Sequence, residues 1–215
     1  MKIFMTGGTG FVGTYLVGQF IKEEHKVTIL TPPLAGSELK KDGLTYLTGN
    51  PTIKGPWQEA VRDHDVIINL AGASIFSRWT EAQKIILRSS RIDTTRHLVE
   101  ALPDNSKHIT FFSTSAVGYY GFHEDEELVE SSPSGAVNLC SPNPVRNKDL
   151  GKAIGKVLHR PSFLPAPGFM IELILGEFGS VLLKGQRVIP RHLLDAGFKF
   201  RYPDIEAALK NVIAD

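Results

Sequence analysis

Residues 6–13 read Thr-Gly-Gly-Thr-Gly-Phe-Val-Gly, and this stretch decides the fold of the chain. An apolar run, Ile3 to Met5, precedes it, and an amphipathic stretch with Val12, Leu16 and Phe20 follows. A strand must turn sharply into a helix here, and glycine lets the backbone take that turn and approach a ligand closely. The N–H groups at the start of such a helix attract phosphates. Glycine-rich turns can also serve packing alone. Here, however, a second strand at Lys26 to Leu30 completes a βαβ unit, which is typical of a dinucleotide site. The residues predicted to form this site are Thr6, Gly7, Gly8, Thr9, Gly10, Phe11, Val12 and Gly13.

Composition excludes several classes of protein. The 215 residues are 42% hydrophobic, which suffices for one domain, or for one domain with an appendage. A formal net charge of +1 gives no field for nucleic acid, so we expect no nucleic-acid partner. The most apolar later stretch, 163–183, is interrupted by prolines and glutamates, which argues against a membrane span.

Two features predict a cytoplasmic protein. The first residues run straight into a strand and leave no room for a signal peptide. The single cysteine, Cys140, cannot form an internal disulfide, which agrees with a reducing compartment. Cys140 ends the apolar run 136–140, so we expect a buried structural thiol rather than a nucleophile.

The first half of the chain alternates between strand-like and helix-like segments. Short apolar runs typical of parallel strands occupy Lys2–Met5, Lys26–Leu30, Val66–Asn69 and Ile109–Phe112, with a weaker candidate at Thr45–Leu47. A long helix is predicted to open at Thr80, an N-cap with Gln83 three positions on, and to carry Ile85, Ile92 and Val99 on one face. The fold class is therefore α/β, a Rossmann-like doubly wound parallel sheet.

The second half is predicted to be mostly helical. Asn147 is the expected N-cap of a helix with Leu150, Ile154 and Leu158 on one side, and a second helix runs to about Leu183. Further helices are expected at Pro190, ending near Gly197, and after Asp204, burying Ile205, Leu209 and Val212. We expect a dinucleotide-binding domain over 1–135 and a small terminal domain over 136–215. The acidic stretch 124–130 lacks spaced ligands and histidine, so it is read as a solvated loop, and no metal site is predicted.

Several later motifs carry a family resemblance. Asn69-Leu70-Ala71-Gly72-Ala73 follows one predicted strand, and Ser113-Thr114-Ser115-Ala116-Val117-Gly118-Tyr119-Tyr120-Gly121 follows the next. The C-terminal stretch adds Ser141-Pro142-Asn143-Pro144-Val145, Gly185-Gln186-Arg187-Val188 and 196–203. Together these motifs resemble the extended short-chain dehydrogenase/reductases, specifically the atypical nucleotide-sugar epimerase-like family that includes cell-division-inhibitor homologues.

The resemblance implies roles for particular residues. Cofactor contacts fall on Thr31, Asn69, Leu70, Ala71, Gly72, Ala73, Arg91 and Ser113. Ser115 takes the place of the catalytic serine, and Tyr119 is the nearest substitute for the catalytic phenol, although in relatives a tyrosine there lines the cofactor pocket. Other readings stay open: the two serines can cap a strand end, and Arg91, like Arg78, can form a surface salt bridge. The implied ligand is a small molecule, with a nucleotide sugar and a homodimer left open.

The end of the second strand departs from the family pattern. Relatives carry an arginine there that pairs with the 2′-phosphate of NADP, whereas this chain has Thr31-Pro32-Pro33, with neither arginine nor a carboxylate for the free hydroxyl of NAD. Lys40 or Lys41 can supply the charge from the following loop. The resemblance favours NADP, and NAD stays open.

The catalytic machinery departs further. The superfamily's acid/base is a tyrosine with a lysine four residues later, and no Tyr-x-x-x-Lys occurs in the 215 residues. About 80 or more residues of the family pattern are missing after Gly135, at least two βα units. Either the protein has lost this segment or the printed sequence omits it. An intact mass of 23.7 kDa supports the loss, and a mass about 9 kDa higher supports the omission. Two functions follow: an NAD(P)-dependent epimerase or reductase, or a dinucleotide-binding sensor or scaffold without turnover.

Overall fold

The computed structural model describes residues 1–33, 42–116, 126–130, 137–162 and 166–214. They fall into two compact units, Met1–Thr114 and Ser115–Asp215. The predicted domain boundary at Gly135 lies outside the described residues and stays a prediction. Among the residues described, no helix is both long enough and apolar enough to cross a membrane.

The first unit is built on a five-stranded parallel sheet of order β3-β2-β1-β4-β5. This order confirms the Rossmann-like α/β prediction, including the weaker third strand. The strands are β1 Lys2–Thr6, β2 Lys26–Thr31, β3 Leu44–Thr48, β4 Val66–Asn69 and β5 Thr110–Ser113. β1 and β4 are adjacent although two strands, β2 and β3, separate them in sequence. The chain order therefore reverses between them, and doubly wound folds bind ligands at such a point.

Each face of the sheet has its own core. Phe4 of β1 packs with Leu30, Trp57 and Leu98 on one face, whereas Ile3 and Met5 pack on the other with a cluster that contains Val17, Val27, Ile29 and Ile68. Alternate residues of one strand therefore fill both cores, as expected for a parallel strand covered on both sides. The helices of this unit are α1 Phe11–Lys22, α2 Trp57–Val61 and α3 Glu81–Glu100.

Helix α3 starts as predicted but buries a different face. Thr80 is the N-cap, and its side chain accepts a hydrogen bond from the Gln83 N–H at 3.2 Å. The three residues predicted to share one face are all exposed: Ile85 by 67%, Ile92 by 42% and Val99 by 50%. The buried residues are Thr94, His97 and Leu98, with Ala101 just after the helix. The prediction followed the largest apolar side chains, whereas the face towards the core combines small and polar residues with one leucine.

The described residues of the second unit form a short parallel pair of strands and five helices. These are β6 Glu127–Leu128 with β7 Arg187–Val188, and α4 Asn147–Val157, α5 Gly168–Leu175, α6 Glu177–Leu183, α7 Arg191–Asp195 and α8 Ile205–Ala214. Asn147 is the first helical residue of α4 rather than its N-cap, which is Arg146. The single helix predicted up to Leu183 is two helices, because Gly176 takes φ +61° and ends α5.

Other predictions for this unit hold in part. α7 begins at Arg191, so Pro190 is its N-cap rather than the predicted first residue, and Gly197 with φ +76° comes just after its end, as expected. Ile205 and Leu209 of α8 are half-buried, but Val212 is 72% exposed, so the predicted buried face is shorter.

The acidic stretch is not a simple solvated loop. Glu127 lies in β6 and pairs with Arg191 at 3.0 Å. Glu130 is buried and accepts hydrogen bonds from the backbone N–H groups of Asn138 at 2.6 Å and His192 at 3.4 Å. The nearby Cys140 is half-buried, and its thiol donates to the Val188 carbonyl at 3.4 Å. Burial, and secondarily the charge of Glu130, raises the pKa of the Cys140 thiol, as a structural role requires.

Candidate functional site

Two glycines of the turn between β1 and α1 have no room for a side chain. Gly7 takes φ +71°, and a Cβ there would lie 2.7 Å from the carbonyl carbon of Leu70. A Cβ on Gly13 would lie 2.2 Å from the carbonyl oxygen of Gly7. The turn is therefore folded tightly on itself and pressed against the loop after β4, which no larger residue permits.

The start of α1 leaves backbone donors free for an anion. The Gly10 N–H donates to Gly7 O at 3.0 Å, and the helix's own hydrogen bonds begin with Thr14 N–H to Gly10 O at 2.9 Å. Gly10 has no side chain to cap the N–H groups of Phe11 and Val12, and the first turn carries no acidic residue. Thr9 and Gly10 are exposed, and Phe11 is 98% exposed. Open donors at the positive end of a helix suit the pyrophosphate of a dinucleotide.

The last residues of three neighbouring strands lie side by side. Thr6 of β1 is in register with Asn69 of β4, and Asn69 is in register with Ser113 of β5. Asn69 Oδ1 accepts from the Thr6 hydroxyl at 2.7 Å and from Ala71 N–H at 3.3 Å, while Asn69 Nδ2 donates to Thr95 Oγ1 at 3.0 Å and to Ser113 Oγ at 3.3 Å. All four hydrogen-bonding positions of this amide are used inside the protein.

This network separates the predicted contacts into two groups. Thr6 and Asn69 are buried and bonded to each other, so their side chains hold the strand ends together. Ser113 is exposed, and its hydroxyl accepts from Asn69, which leaves its own proton free to be donated outwards. Sequence reasoning did not predict that Thr95 supports Asn69. The position of Thr95 four residues after Arg91 on α3 could have indicated it, because a threonine hydroxyl can donate to the carbonyl four residues earlier, as Thr95 does to Arg91 O at 2.8 Å.

Arg91 clamps the loop after β4. Its guanidinium donates to Ala73 O at 3.3 Å and to Leu87 O at 3.0 Å, and a Cβ on Gly72 would lie 3.1 Å from its Cζ. Ser90 Oγ accepts from Ala73 N–H at 3.0 Å on the same loop. The two α3 side chains thus fix the backbone of the predicted contacts Leu70 to Ala73. The guanidinium is exposed and donates to two carbonyls, and its predicted contact with the cofactor stays a prediction.

The remaining predicted residues are less closely constrained. Thr31 ends β2 and is buried, and its carbonyl accepts from Gly49 N–H at 2.9 Å. Lys40 and Lys41, the predicted source of charge for a 2′-phosphate, lie outside the described residues, as does Tyr119. Ser115 is exposed and is the first residue of the second unit.

The family follows from comparison with known proteins. The model of the NAD dependent epimerase/dehydratase family matches residues 3–143. The chain belongs to this family. A second model, a domain of unknown function called DUF1731, matches residues 166–212 of this epimerase/dehydratase family member.

Relatives and solved structures extend the match to the whole chain. The Bacillus subtilis protein named epimerase family protein YfhF is 30% identical, with 100% of this chain and 99% of the relative covered. The Arabidopsis thaliana chloroplastic homologue of SDR39U1 is 25% identical over 99% of this chain and 87% of its own. The crystal structure of human SDR39U1 (isoform 2) with NADPH superposes with a TM-score of 0.80 at 20% identity and covers 100% of both chains, which shows a shared fold.

The length of one alignment bears on the predicted missing segment. The match to the Bacillus subtilis protein extends over 302 positions, and this chain has 215 residues. At least 87 positions, the difference between 302 and 215, therefore have no counterpart in this chain. The size agrees with the expectation of about 80 or more residues, and the place of the gap after Gly135 stays a prediction.

Proposed function

We propose that the first unit of this family member binds a nicotinamide dinucleotide, with NADPH preferred to NADH. The observation that carries the proposal is the glycine turn, where Gly7 and Gly13 leave no space for a Cβ and the open start of α1 offers uncapped N–H groups. The human relative crystallised with NADPH supports the choice of cofactor. Under this proposal the pyrophosphate lies against Thr9 to Val12, and the loop Asn69 to Ala73 lies beside the adenosine half.

We further propose an oxidoreductase or epimerase reaction on a carbonyl or hydroxyl of a small molecule, such as a sugar nucleotide. NADPH supplies a hydride for a carbonyl carbon, and the oxidised form takes one back. Ser113 fits the role of a hydrogen-bond donor to the carbonyl oxygen, because Asn69 occupies one of its lone pairs and leaves the proton available. Ser115 and Tyr119 keep the catalytic roles that the family resemblance implies.

A matched pair of glycine variants tests cofactor binding. Gly10→Ala adds a methyl group 3.3 Å from Gly7 O, in the middle of the proposed phosphate cradle. Gly18→Ala adds the same group further along α1, where no atom lies within 4 Å. Calorimetric titration with NADPH and NADH should show tighter binding of NADPH, about tenfold weaker binding in Gly10→Ala, and no loss in Gly18→Ala. Equal affinities for NADPH and NADH contradict the proposed preference for NADPH. Unaltered binding by Gly10→Ala contradicts the proposal that the dinucleotide binds at the glycine turn.

The absence of any Tyr-x-x-x-Lys sequence favours a second candidate, a dinucleotide-binding sensor or scaffold without turnover. The two candidates differ in one measurement. NADPH oxidation, followed by its absorbance with a panel of carbonyl compounds and nucleotide sugars, supports the enzyme. Tight NADPH binding with no oxidation on the panel supports the sensor. A cytoplasmic location and a homodimer belong to the same proposal, and fractionation of cells and sedimentation of the purified chain test them.

A further inference from the structure

Helix α4 carries a row of lysines whose mutual repulsion does not favour the helix. Lys148, Lys152 and Lys156 follow one another at intervals of four residues, so they line one side of the helix. Like charges at this spacing repel each other and destabilise the helix. Lys156 is neutralised by Glu206 of α8 at 2.8 Å, whereas Lys152 has no ion pair among the described residues.

The chain beyond α4 returns over the same side of the helix. His159 takes φ +53°, a left-handed conformation that is uncommon outside glycine, and Arg160 N–H donates to Gly155 O at 2.8 Å. A Cβ on Gly155 would lie 2.7 Å from Arg160 O and 2.8 Å from Ser162 Cβ. The glycine thus permits a close approach of Arg160 and Ser162 to α4, where they line one cavity together with Lys152 and Lys156.

The result is an open cavity of about 440 Å³ with a cationic lining. It is lined by Lys152, Gly155, Lys156, His159, Arg160 and Ser162, and no carboxylate is among them. Cations do favour the carboxyl end of a helix, but that end amounts to only about half a negative charge. After the Lys156–Glu206 pair is set aside, Lys152 and Arg160 remain as two positive charges at one cavity, without an ion pair in the part of the chain that the structure describes.

We propose that this cavity, here called the α4 cavity, binds a small molecule that carries phosphate. Arg160 offers a planar fork of donors for two phosphate oxygens, and Lys152 adds a point charge beside it. The Ser162 hydroxyl, which also lines the cavity, donates to a third oxygen. The cavity is open, and its volume of about 440 Å³ is in the range for small ligands, which favours a phosphorylated metabolite. The α4 cavity lies within the second unit, and the proposal is independent of dinucleotide binding in the first.

Calorimetric titration of the full chain with inorganic pyrophosphate tests the α4 cavity. The double variant Lys152→Gln/Arg160→Gln removes both free charges and should weaken the binding by about tenfold or more. The control Lys22→Gln/Lys26→Gln removes two exposed charges at the end of α1 and the start of β2, and should bind pyrophosphate like the unaltered chain.

The glycine turn of the first unit is a second possible receptor for pyrophosphate, so the titration is repeated with Gly10→Ala. Binding at the α4 cavity persists in Gly10→Ala and is lost in the Lys152/Arg160 variant. Three results overturn the proposal: no saturable binding of pyrophosphate, binding that both double variants weaken equally, or binding that only Gly10→Ala weakens. Sedimentation with vesicles containing phosphatidic acid is the fourth arm. One combination of results overturns the small-molecule proposal and assigns the cavity to a lipid surface. In that case the chain binds the vesicles but not free pyrophosphate, and the Lys152/Arg160 variant no longer binds the vesicles.

Discussion

Asn69 shows how much one amide contributes to this protein. Its side chain joins the ends of β1, β4 and β5 to α3 through four hydrogen bonds. Asn69→Ala leaves the buried Thr6 hydroxyl without its acceptor, and a buried polar group that loses its partner costs about 1–3 kcal/mol. We therefore expect Asn69→Ala to lower the free energy of unfolding by about 2–3 kcal/mol in urea titrations.

Asn50→Ala is the matched control for this substitution. The Asn50 side chain is exposed, and among the described residues it accepts only from the N–H and hydroxyl of Thr52. Its loss should cost less than about 1 kcal/mol. Equal costs for the two variants contradict a structural role for the amide of Asn69.

Adjacent threonines on α3 should respond to the same substitution with opposite sign. Thr94 is fully buried, and its hydroxyl has no hydrogen-bond partner among the described residues. Thr95 accepts from Asn69 and donates to Arg91 O. Thr94→Val should therefore raise the free energy of unfolding by about 1 kcal/mol, and Thr95→Val should lower it by a similar amount. Because valine keeps the branched shape, the shape and helix propensity of the residue change little in both variants. A loss of stability in Thr94→Val contradicts the prediction.

Glu130 should make the stability of the second unit depend on pH. Burial on its own raises the pKa of the Glu130 carboxyl, but hydrogen bonds from the backbone N–H groups of Asn138, Glu130 and His192 outweigh it and hold the pKa below its ordinary 4.5. A lowered pKa means that the folded state favours the carboxylate. The contribution is therefore complete above the unfolded pKa and is lost as the pH falls through the folded pKa.

Thermal unfolding over a range of acidic pH measures this contribution. The melting temperature of the unaltered chain should fall steeply below about pH 4.5. Glu130→Gln should melt at a lower temperature at neutral pH, and its melting temperature should fall less steeply as the pH is lowered. Glu126→Gln, an exposed neighbour, serves as the control and should show the steep fall of the unaltered chain. An equally steep fall in Glu130→Gln contradicts the role given to Glu130.

At the level of secondary structure, α3 tests which helix face holds the first unit together. Leu98 is fully buried in the core with Phe4 and Ile67, whereas Val99 is 50% exposed. Leu98→Ala should cost about 3 kcal/mol in the free energy of unfolding. Val99→Ala should change it by no more than about 0.5 kcal/mol. Chemical denaturation of both variants distinguishes this face from the one that the sequence predicted.

The elements that the sequence predicted well have local signals. The glycine turn, the Thr80 cap and the strands of the sheet are marked by residue types with strong backbone preferences or by continuous apolar runs. The buried face of α3 could not be read in this way, because the burial of Thr94 and His97 depends on distant parts of the chain; His97 Nδ1, for example, lies 3.1 Å from the Pro51 carbonyl oxygen. The break at Gly176 was missed for a similar reason. Gly179 lies so close to α5 that a Cβ would be 2.6 Å from Ile171 O, a contact between helices that no local pattern shows.

The candidate site was predictable in part. The glycine turn and the loop after β4 were located by motif, but the internal bonds of Asn69 and the clamp by Arg91 were not. Asn69 and Thr6 are 63 positions apart and are brought together by the register of β4 and β1, and Arg91 of α3 reaches Ala73 across 18 positions. The same long-range pairing brings Ser113 beside Asn69, which residue types alone leave open.

For the whole molecule, the free side of β5 is a weak point of the sheet. No strand among the described residues pairs with β5 on the side away from β4, and Phe112 is 58% exposed. The Thr110 N–H donates to Asp65 O, just before β4, and the Thr114 N–H donates to Asn69 O. The alternating pattern therefore directs the N–H groups of Phe111 and Ser113 away from β4. Hydrogen exchange should therefore be fast at Phe111 and Ser113 and slow throughout β1, which has a strand on each side. Uniform protection of the sheet contradicts an open edge.

The strand order also bears on how such a chain evolves. A sheet that grows outwards from β1 can gain or lose outer βα units without altering the strands at its centre. The dinucleotide-type turn belongs to β1 and α1, and its supporting loop follows β4, so both are interior to β5. At least 87 positions of a bacterial relative have no counterpart here, yet the turn and its loop keep their close contact. Changes confined to the outer strands therefore leave the contact between the turn and its loop in place.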